Sequence, residues 1–478
     1  MGDAGHGTLE RTGAAAKAGA TARIATFATG YAPSQEAVAC AVSCIVDTLA
    51  VTLAGGAEPQ VRRLASALSP RGDDGDARPS FWSHDHHGPE DAALLYGMAS
   101  HILDYDDVSM VAICHASAPV LSASLAAAPW DAVSGRALAE ALVVGTEVAL
   151  RIGEAMGFRH YDLGFHATGT LGAVGAAAAA ARLMRLDEAT TGHALSIAAS
   201  SASGLRKNFG SMVKSLHVGL AAASGVRAAR LAAAGLAGAH EVMESGGFLR
   251  AFSGGACDDW PETVVLGAPP AILSPGFEQK RYPCCYLLHK IIEATRELRA
   301  ANGLTLESVT RARVEMPPGG TRPLIHPCPE TPLEALFSGP YAVLASIADG
   351  TVNLASFTPA AVARPEIRAR LATVDVRERE GAAASGGEVG AAPVTVTLTL
   401  SDGREVSATC TVSPGSPQDP LGEDGLRAKW SDCIRRANPA VDEGLARAVV
   451  DDGFALAAMA SIGPWLREAR ALLLAADR

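Results

Sequence analysis

Between Thr168 and Ser203 the chain reads TGTLGAVGAAAAAARLMRLDEATTGHALSIAASSAS, two helical runs built almost wholly from small side chains. Side chains this small let helix axes come close together, so the segment needs tightly packed helical neighbours. It also carries too little apolar area to span a bilayer. The neighbours are easy to find. QEAVACAVSCIVDTLAVTLAG sets Val38, Val42, Ile45, Leu49 and Val51 at helical spacing and ends at Gly55 and Gly56, a pair that suits a C-cap. PEDAALLYGMASHILDYDD opens with Pro89 in its first turn and acids beside it, as the helix dipole prefers. From about Ser34 to about Val265 nearly every segment reads as helix, and an all-α bundle is the expectation.

The pattern then changes. VTRARVEMP reads as a strand, and PVTVTLTLSDGREVSATCTV alternates apolar and polar residues on both sides of Asp402-Gly403, a hairpin signal. PYAVLASIADG and PEIRARLATV read as helices between them, and EGAAASGGEVGAAP as a flexible loop. The expected class is mainly α, a large helical domain with an inserted smaller α+β lid. Residues 1–20 are expected to form a loose tail and 21–266 the first part of the helical domain. Residues 267–412 form the α+β insertion, and 413–478 return to the helical domain.

A formal charge of −11 and a pI near 5.6 oppose binding to nucleic acid or to an anionic membrane. A small anion remains possible where basic residues gather locally. Nine scattered cysteines, with no secretory leader in the opening residues, read as reduced thiols of a cytoplasmic protein.

Four segments carry chemistry. In ASHILDYDDVSMVAICHAS, helical spacing would set His101, Asp104 and Tyr105 on one face, with Asp106 and Asp107 ending the helix and His115 after a short loop. From spacing alone that arrangement reads first as plain helix capping with a structural histidine, and second as a set for acid-base work. His166 stands just before the alanine-rich helix, with Thr168 and Thr170 beside it. LRKNFGSMVKSLHVG gathers Arg206, Lys207, Lys214 and His217, which cradle carboxylates or form a solvated basic face. KRYPCCYLLHK adds Lys280, Cys284, Cys285 and His289, a poor metal set because adjacent cysteines do not chelate one tetrahedral ion. SHDHHGPE is expected to be an exposed loop. No nucleophile elbow or phosphate loop occurs.

Taken together, GMASHILDYDD, HASAPVL, HYDLGFHATGTLGAVGAAAAAARL, SGLRKNFGSMVKSLHVG, KRYPCCYLLH, EALFSGPYAVLASIADG and RAKWSDC resemble the MmgE/PrpD family. The resemblance runs from about Ser34 to Cys433. It implies a helical domain made from both chain ends, a lid inserted between them, a homodimer, and neither metal nor organic cofactor. It also implies Asp104, His115, His166, Lys214 and Lys280 around a small anionic polycarboxylate at the domain junction. His101, Ser109, Thr168, Arg206, Lys207, Tyr282 and Cys285 are the expected substrate contacts.

The chemistry it implies is removal of a proton beside a carboxylate. Lys214, Lys280 and Arg206 would hold charge, His166 or Asp104 would be the base, and His115 the proton donor. The leading expectation is a lyase that removes water, or carbon dioxide, from a hydroxy-polycarboxylate. The second is an epimerase of an amino- or imino-dicarboxylate, and the third a silent acid-binding protein. The dehydratase and decarboxylase branches carry histidine at Cys285 and Thr at Val108, and the decarboxylases a tyrosine near Thr321. The epimerase branch is closer in the loop from Asp104 to His115. If Lys280 or Arg281 lowers its pKa, Cys285 is an acid-base partner; otherwise it is a small buried hydrophobe.

Overall fold

Ser34 caps the helix Gln35–Gly55 by accepting a hydrogen bond from the Ala37 amide, and nearly every residue from Val42 onward is buried. Of the described helices it alone has the length and apolarity to cross a bilayer, but those side chains are spent on the protein's own core. The glycine pair at its end does not form a left-handed cap, since Gly56 has φ −66°. Close approach explains both residues: a Cβ at Gly55 would strike the Ala99 carbonyl, and one at Gly56 the Trp82 ring. The structure, a computed structural model, describes residues 19–72, 74–381 and 386–474. The expected tail therefore lies outside the described residues except for Gly19 and Ala20, where the helix Ala20–Gly30 begins.

The alanine-rich run forms Ala167–Leu183 and Glu188–Ser201, as its composition requires. Around Ala167–Leu183 lie Ser117–Ala127, Gly135–Met156 and Met212–Ala233, with Pro89–His101 against the last of these. Backbones meet where side chains vanish: a Cβ at Gly175 would run into the Gly145 carbonyl of the facing helix. The C-terminal helices Gly422–Ala437, Glu443–Phe454 and Gly463–Leu474 rejoin this bundle, Trp430 and Ile434 entering its core.

A second core is made from residues 282–410. Two short strands, β1 (Arg78–Pro79) and β2 (His86–His87), belong to the first. The remaining strands are β3 (Val309–Met316), β4 (Val374–Glu378), β5 (Val394–Leu400) and β6 (Glu405–Cys410), in the order β4-β3-β5-β6. β5 and β6 form the hairpin around Asp402-Gly403, and the helices His289–Asn302 and Gly339–Asp349 cover the sheet.

Four local expectations need correction. PEIRARLATV is helical only over Pro365–Arg368; its end passes through a single 3-10 turn into β4, parallel to β3. EGAAASGGEVGAAP contains the helix Gly386–Ala391, whose end is held by Lys290 Nζ, 2.9 Å from each of the carbonyls of Gly390, Ala391 and Ala392. In SHDHHGPE, His86 and His87 form β2 and His87 is buried, so only part of that segment is exposed loop. The helix from Pro89 stops at His101, so Asp104 and Tyr105 do not share a helical face with it.

Candidate active site

Because that helix ends at His101, the next residues turn back into the protein, and Asp104 takes φ +48°, a conformation uncommon outside glycine. Three carboxylates, Asp104, Asp106 and Asp107, are buried in four residues. Each has its own partner. Asp104 Oδ1 lies 2.5 Å from Lys214 Nζ and Oδ2 3.1 Å from Lys280 Nζ, which also donates to the Asp104 carbonyl at 2.8 Å. Asp106 accepts from His101 Nδ1 at 2.8 Å and stands 3.2 Å from His115 Nδ1. Asp107 accepts from Ser117 Oγ at 2.5 Å.

Their ionisation follows. Burial alone would raise Asp104, but Lys214 and Lys280 hold its carboxyl far below the usual carboxylate range. Asp106 is likewise held well down by His101 and His115 against the cost of burial. Burial, with Asp47 and Asp106, pushes Asp107 up to about 7 against the Ser117 hydrogen bond and the Lys429 charge. Burial lowers Lys280, yet Asp104 and Asp106 more than offset this and its pKa is raised. Burial drives His101 down to about 4 and lowers His115, in both cases against the pull of Asp106. His166 is pushed well down by burial, then by His101, Lys214 and His217. At neutral pH the imidazoles are uncharged, and two carboxylates balance two ammoniums.

Five of these groups line one end of a cavity of about 330 Å³ between the two cores. Asp104, His115, His166, Lys214, Lys280 and Cys285 all reach it. Phe209 and Phe337 form apolar walls, with Lys214 Nζ 5.3 Å and 5.0 Å from their ring centroids. At the far side Arg322 Nη1 stands 3.7 Å from Asp162 Oδ1, both half exposed.

The other expected contacts do not line the cavity. His101 lies behind His115, its ring centroid 4.5 Å away, and faces Asp106. Thr168 Oγ1 accepts the His115 amide at 3.1 Å, a backbone support. Ser109 is tied to Cys114 across a tight bridge. Arg206 stacks over Tyr161 at 3.9 Å, where a flat guanidinium gains more than in open solvent. Lys207 is exposed. Tyr282 turns away to Glu293 and to Arg296, whose Nη1 is 2.9 Å from its hydroxyl. Cys285 does reach the cavity, but burial and Asp104 push its thiol up to about 11, so Lys280 does not make it a thiolate.

Two residues, Tyr161 and Arg322, escape the reading from spacing, and two others, Asp106 and His217, have partners it does not give them. Asp106 is a histidine partner rather than a helix stop. His217 Nδ1 lies 3.1 Å from His166 Nδ1, one turn along the helix from Lys214, and that i, i+3 spacing was its signal. Tyr161, on the short helix Arg159–Asp162, and Arg322, in a turn after β3, give no signal, because distant parts of the chain bring them to the cavity. Ligand atoms of His101, Asp104, Asp106 and His115 lie within 4.8 Å of one another, close enough for a divalent ion. The two ammoniums on Asp104 already supply positive charge at that carboxylate and oppose a further cation.

Residues 22–260 match the MmgE/PrpD N-terminal domain and residues 282–452 the MmgE/PrpD C-terminal domain. The chain belongs to the MmgE/PrpD family. It is similar to a cis-aconitate decarboxylase of Homo sapiens, 28% identical over 356 residues, 72% of each chain. It is also similar to a cis-aconitate decarboxylase of Aspergillus terreus, 30% identical over 299 residues, 59% of this chain and 61% of the relative. This MmgE/PrpD protein is thus an enzyme of a lyase-type family.

Proposed function

We propose that the protein is a cofactor-independent lyase that eliminates water from a small hydroxy-polycarboxylate by removing the proton beside a carboxylate. One observation carries this reading: two buried ammoniums converge on Asp104 at the end of a small cavity that neutral His115 and His166 also reach. A proton on carbon beside a carboxylate is weakly acidic, so its removal needs a base close to fixed positive charge. Lys214 and Lys280 receive the substrate carboxylate and stabilise the enediolate as it forms. His166 takes the carbon-bound proton. His115, beside Asp106, takes up a proton as the anion binds and gives it to the hydroxyl as the carbon–oxygen bond breaks and water leaves, returning to neutral imidazole. The part of the chain around the second core acts as a lid over the bound acid.

A second reading is favoured by Cys285, which reaches the cavity as a protonated thiol. A thiol of that pKa still protonates a carbanion, so removal by His166 and return by Cys285 would epimerise an amino- or imino-dicarboxylate. Incubation in deuterated water with citrate, 2-methylcitrate, malate, cis-aconitate and aspartate, followed by NMR, separates the outcomes. New alkene signals with loss of water support the proposal. Deuterium incorporation without loss of mass supports epimerisation. Loss of carbon dioxide from cis-aconitate, the acid in the relatives' names, replaces elimination by decarboxylation, and no reaction with any acid contradicts all three.

A further inference from the structure

The segment RAKWSDC near the C-terminus holds a buried lysine that reaches no part of the cavity. Lys429, on the helix Gly422–Ala437, is 3% exposed. An ammonium has three N–H donors, and this one has three oxygen partners. Nζ lies 2.6 Å from the Tyr105 carbonyl, 2.9 Å from the Lys280 carbonyl and 2.5 Å from Asp47 Oδ1 on the helix Gln35–Gly55. It also stands 4.1 Å from the centroid of the Tyr105 ring. Tyr105 directly follows Asp104, and Lys280 is the residue that pairs with Asp104. One ammonium therefore grips the backbone beside both members of that pair, from behind.

We propose that Lys429 is a positioning residue that sets the backbone of Asp104–Tyr105 and of Lys280 in register, with Asp47 as its counter-charge. Two facts make this more than packing. Asp104 sits at φ +48°, and a non-glycine residue keeps such a conformation only where its surroundings over-determine it. The two gripped segments lie 175 positions apart; besides Lys429 they meet through the Val108–Glu278 bridge, the Tyr105 hydroxyl on the Arg281 carbonyl at 3.0 Å and Lys280 Nζ on Asp104, and Lys429 alone among these contacts ties both backbones to a third segment. The proposal rests on the reading that Asp104 and Lys280 work at the cavity, and it adds the returning C-terminal helix to the scaffold of that site.

A buried ion pair can often be replaced whole by uncharged residues with little loss of stability, whereas removing one partner strands the other. The test therefore uses the full chain carrying Asp47→Asn with Lys429→Met, which leaves the local net charge unchanged. Tricarballylate, an unreactive tricarboxylate, is titrated by calorimetry, and turnover is measured on whichever acid reacts. We expect Kd to weaken about tenfold and kcat to fall at least 30-fold, with the binding stoichiometry and the near-UV circular dichroism retained. A merely structural role would lower the stoichiometry and leave Kd and kcat per competent site as they were; that result overturns the proposal. If the double variant does not fold, Lys429→Arg decides: a folded protein with Kd and kcat within twofold of the parent overturns it, and a drop in both supports it. Lys280→Met is run alongside. If it binds tricarballylate and turns over normally, the reading of the site has failed; if it is impaired while the double variant is normal, only the role of Lys429 has.

Discussion

Lys214 Nζ and Asp104 Oδ1 are 2.5 Å apart, both buried, and they come from segments 110 positions apart in the chain. This pair and Lys280 form the charged floor of the cavity. Asp104→Asn leaves two ammoniums without their carboxylate. Breaking one side of a buried pair costs about 3–5 kcal/mol, so a lowered melting temperature and loss of most turnover are expected; a variant with parental melting and activity would contradict this.

The pH dependence of stability has a definite sign. His101 is held at about 4 when folded, below the ordinary 6.5, so the unfolded chain binds the extra proton first. Its contribution is complete above about 6.5 and is lost as pH falls toward 4. Between pH 7 and pH 5 this amounts to about 2 kcal/mol. His289, pushed down to about 3 mainly by burial, acts in the same direction. Asp104 and Asp106, held below the ordinary carboxylate value, act in a lower window: their stabilisation is present above about 4 and fades beneath it. Urea unfolding at pH 7 and pH 5 checks the first window, and His101→Asn should remove the share of His101 and leave that of His289.

Binding an anion should reverse the histidine shift. With Asp106 counted, the charges around the floor cancel, so a polycarboxylate brings unmatched negative charge next to His115, which favours its protonation. Proton uptake on binding makes affinity rise as pH falls. Titration of tricarballylate from pH 8 to pH 6 should tighten Kd by up to about tenfold per pH unit, and a pH-independent Kd would refute the electrostatic picture.

The sequence shows most of the helices and little of the site, for physical reasons. Caps and 3.6-residue spacing are local, so Gln35–Gly55 and Pro89–His101 can be read directly, and so can the Asp-Gly hairpin. β4 escapes because it is a five-residue edge strand with only Val374 buried, preceded by residues that favour helix. At the site, ionisable residues announce themselves by type, but their pairing does not. Asp106 next to Asp107 looks like a helix stop until the chain turns at Asp104, and nothing in RAKWSDC points toward Tyr105.

His217 and His166 share one proton between their Nδ1 atoms. If His166 donates, its Nε2 is left free to act as a base. His217→Leu removes that partner, and kcat should fall roughly tenfold to a hundredfold, short of the ~10²–10⁴-fold expected from losing a base. The acid limb of the kcat profile should move as well, which a packing defect would not produce. His217→Asn, which keeps an acceptor, should recover part of the loss.

Cys285 separates the two proposed chemistries. Its buried thiol should resist iodoacetamide at pH 8 while exposed Cys328 reacts. Cys285→Ala should leave elimination within a few-fold of the parent. An abolished deuterium exchange in that variant would instead favour the epimerase reading.

The most direct test is a crystal structure with tricarballylate bound. One carboxylate is expected within hydrogen-bonding distance of both Lys214 Nζ and Lys280 Nζ, with the adjacent carbon facing His166. Tricarballylate bound elsewhere, with the two lysines still turned only toward Asp104, would contradict it.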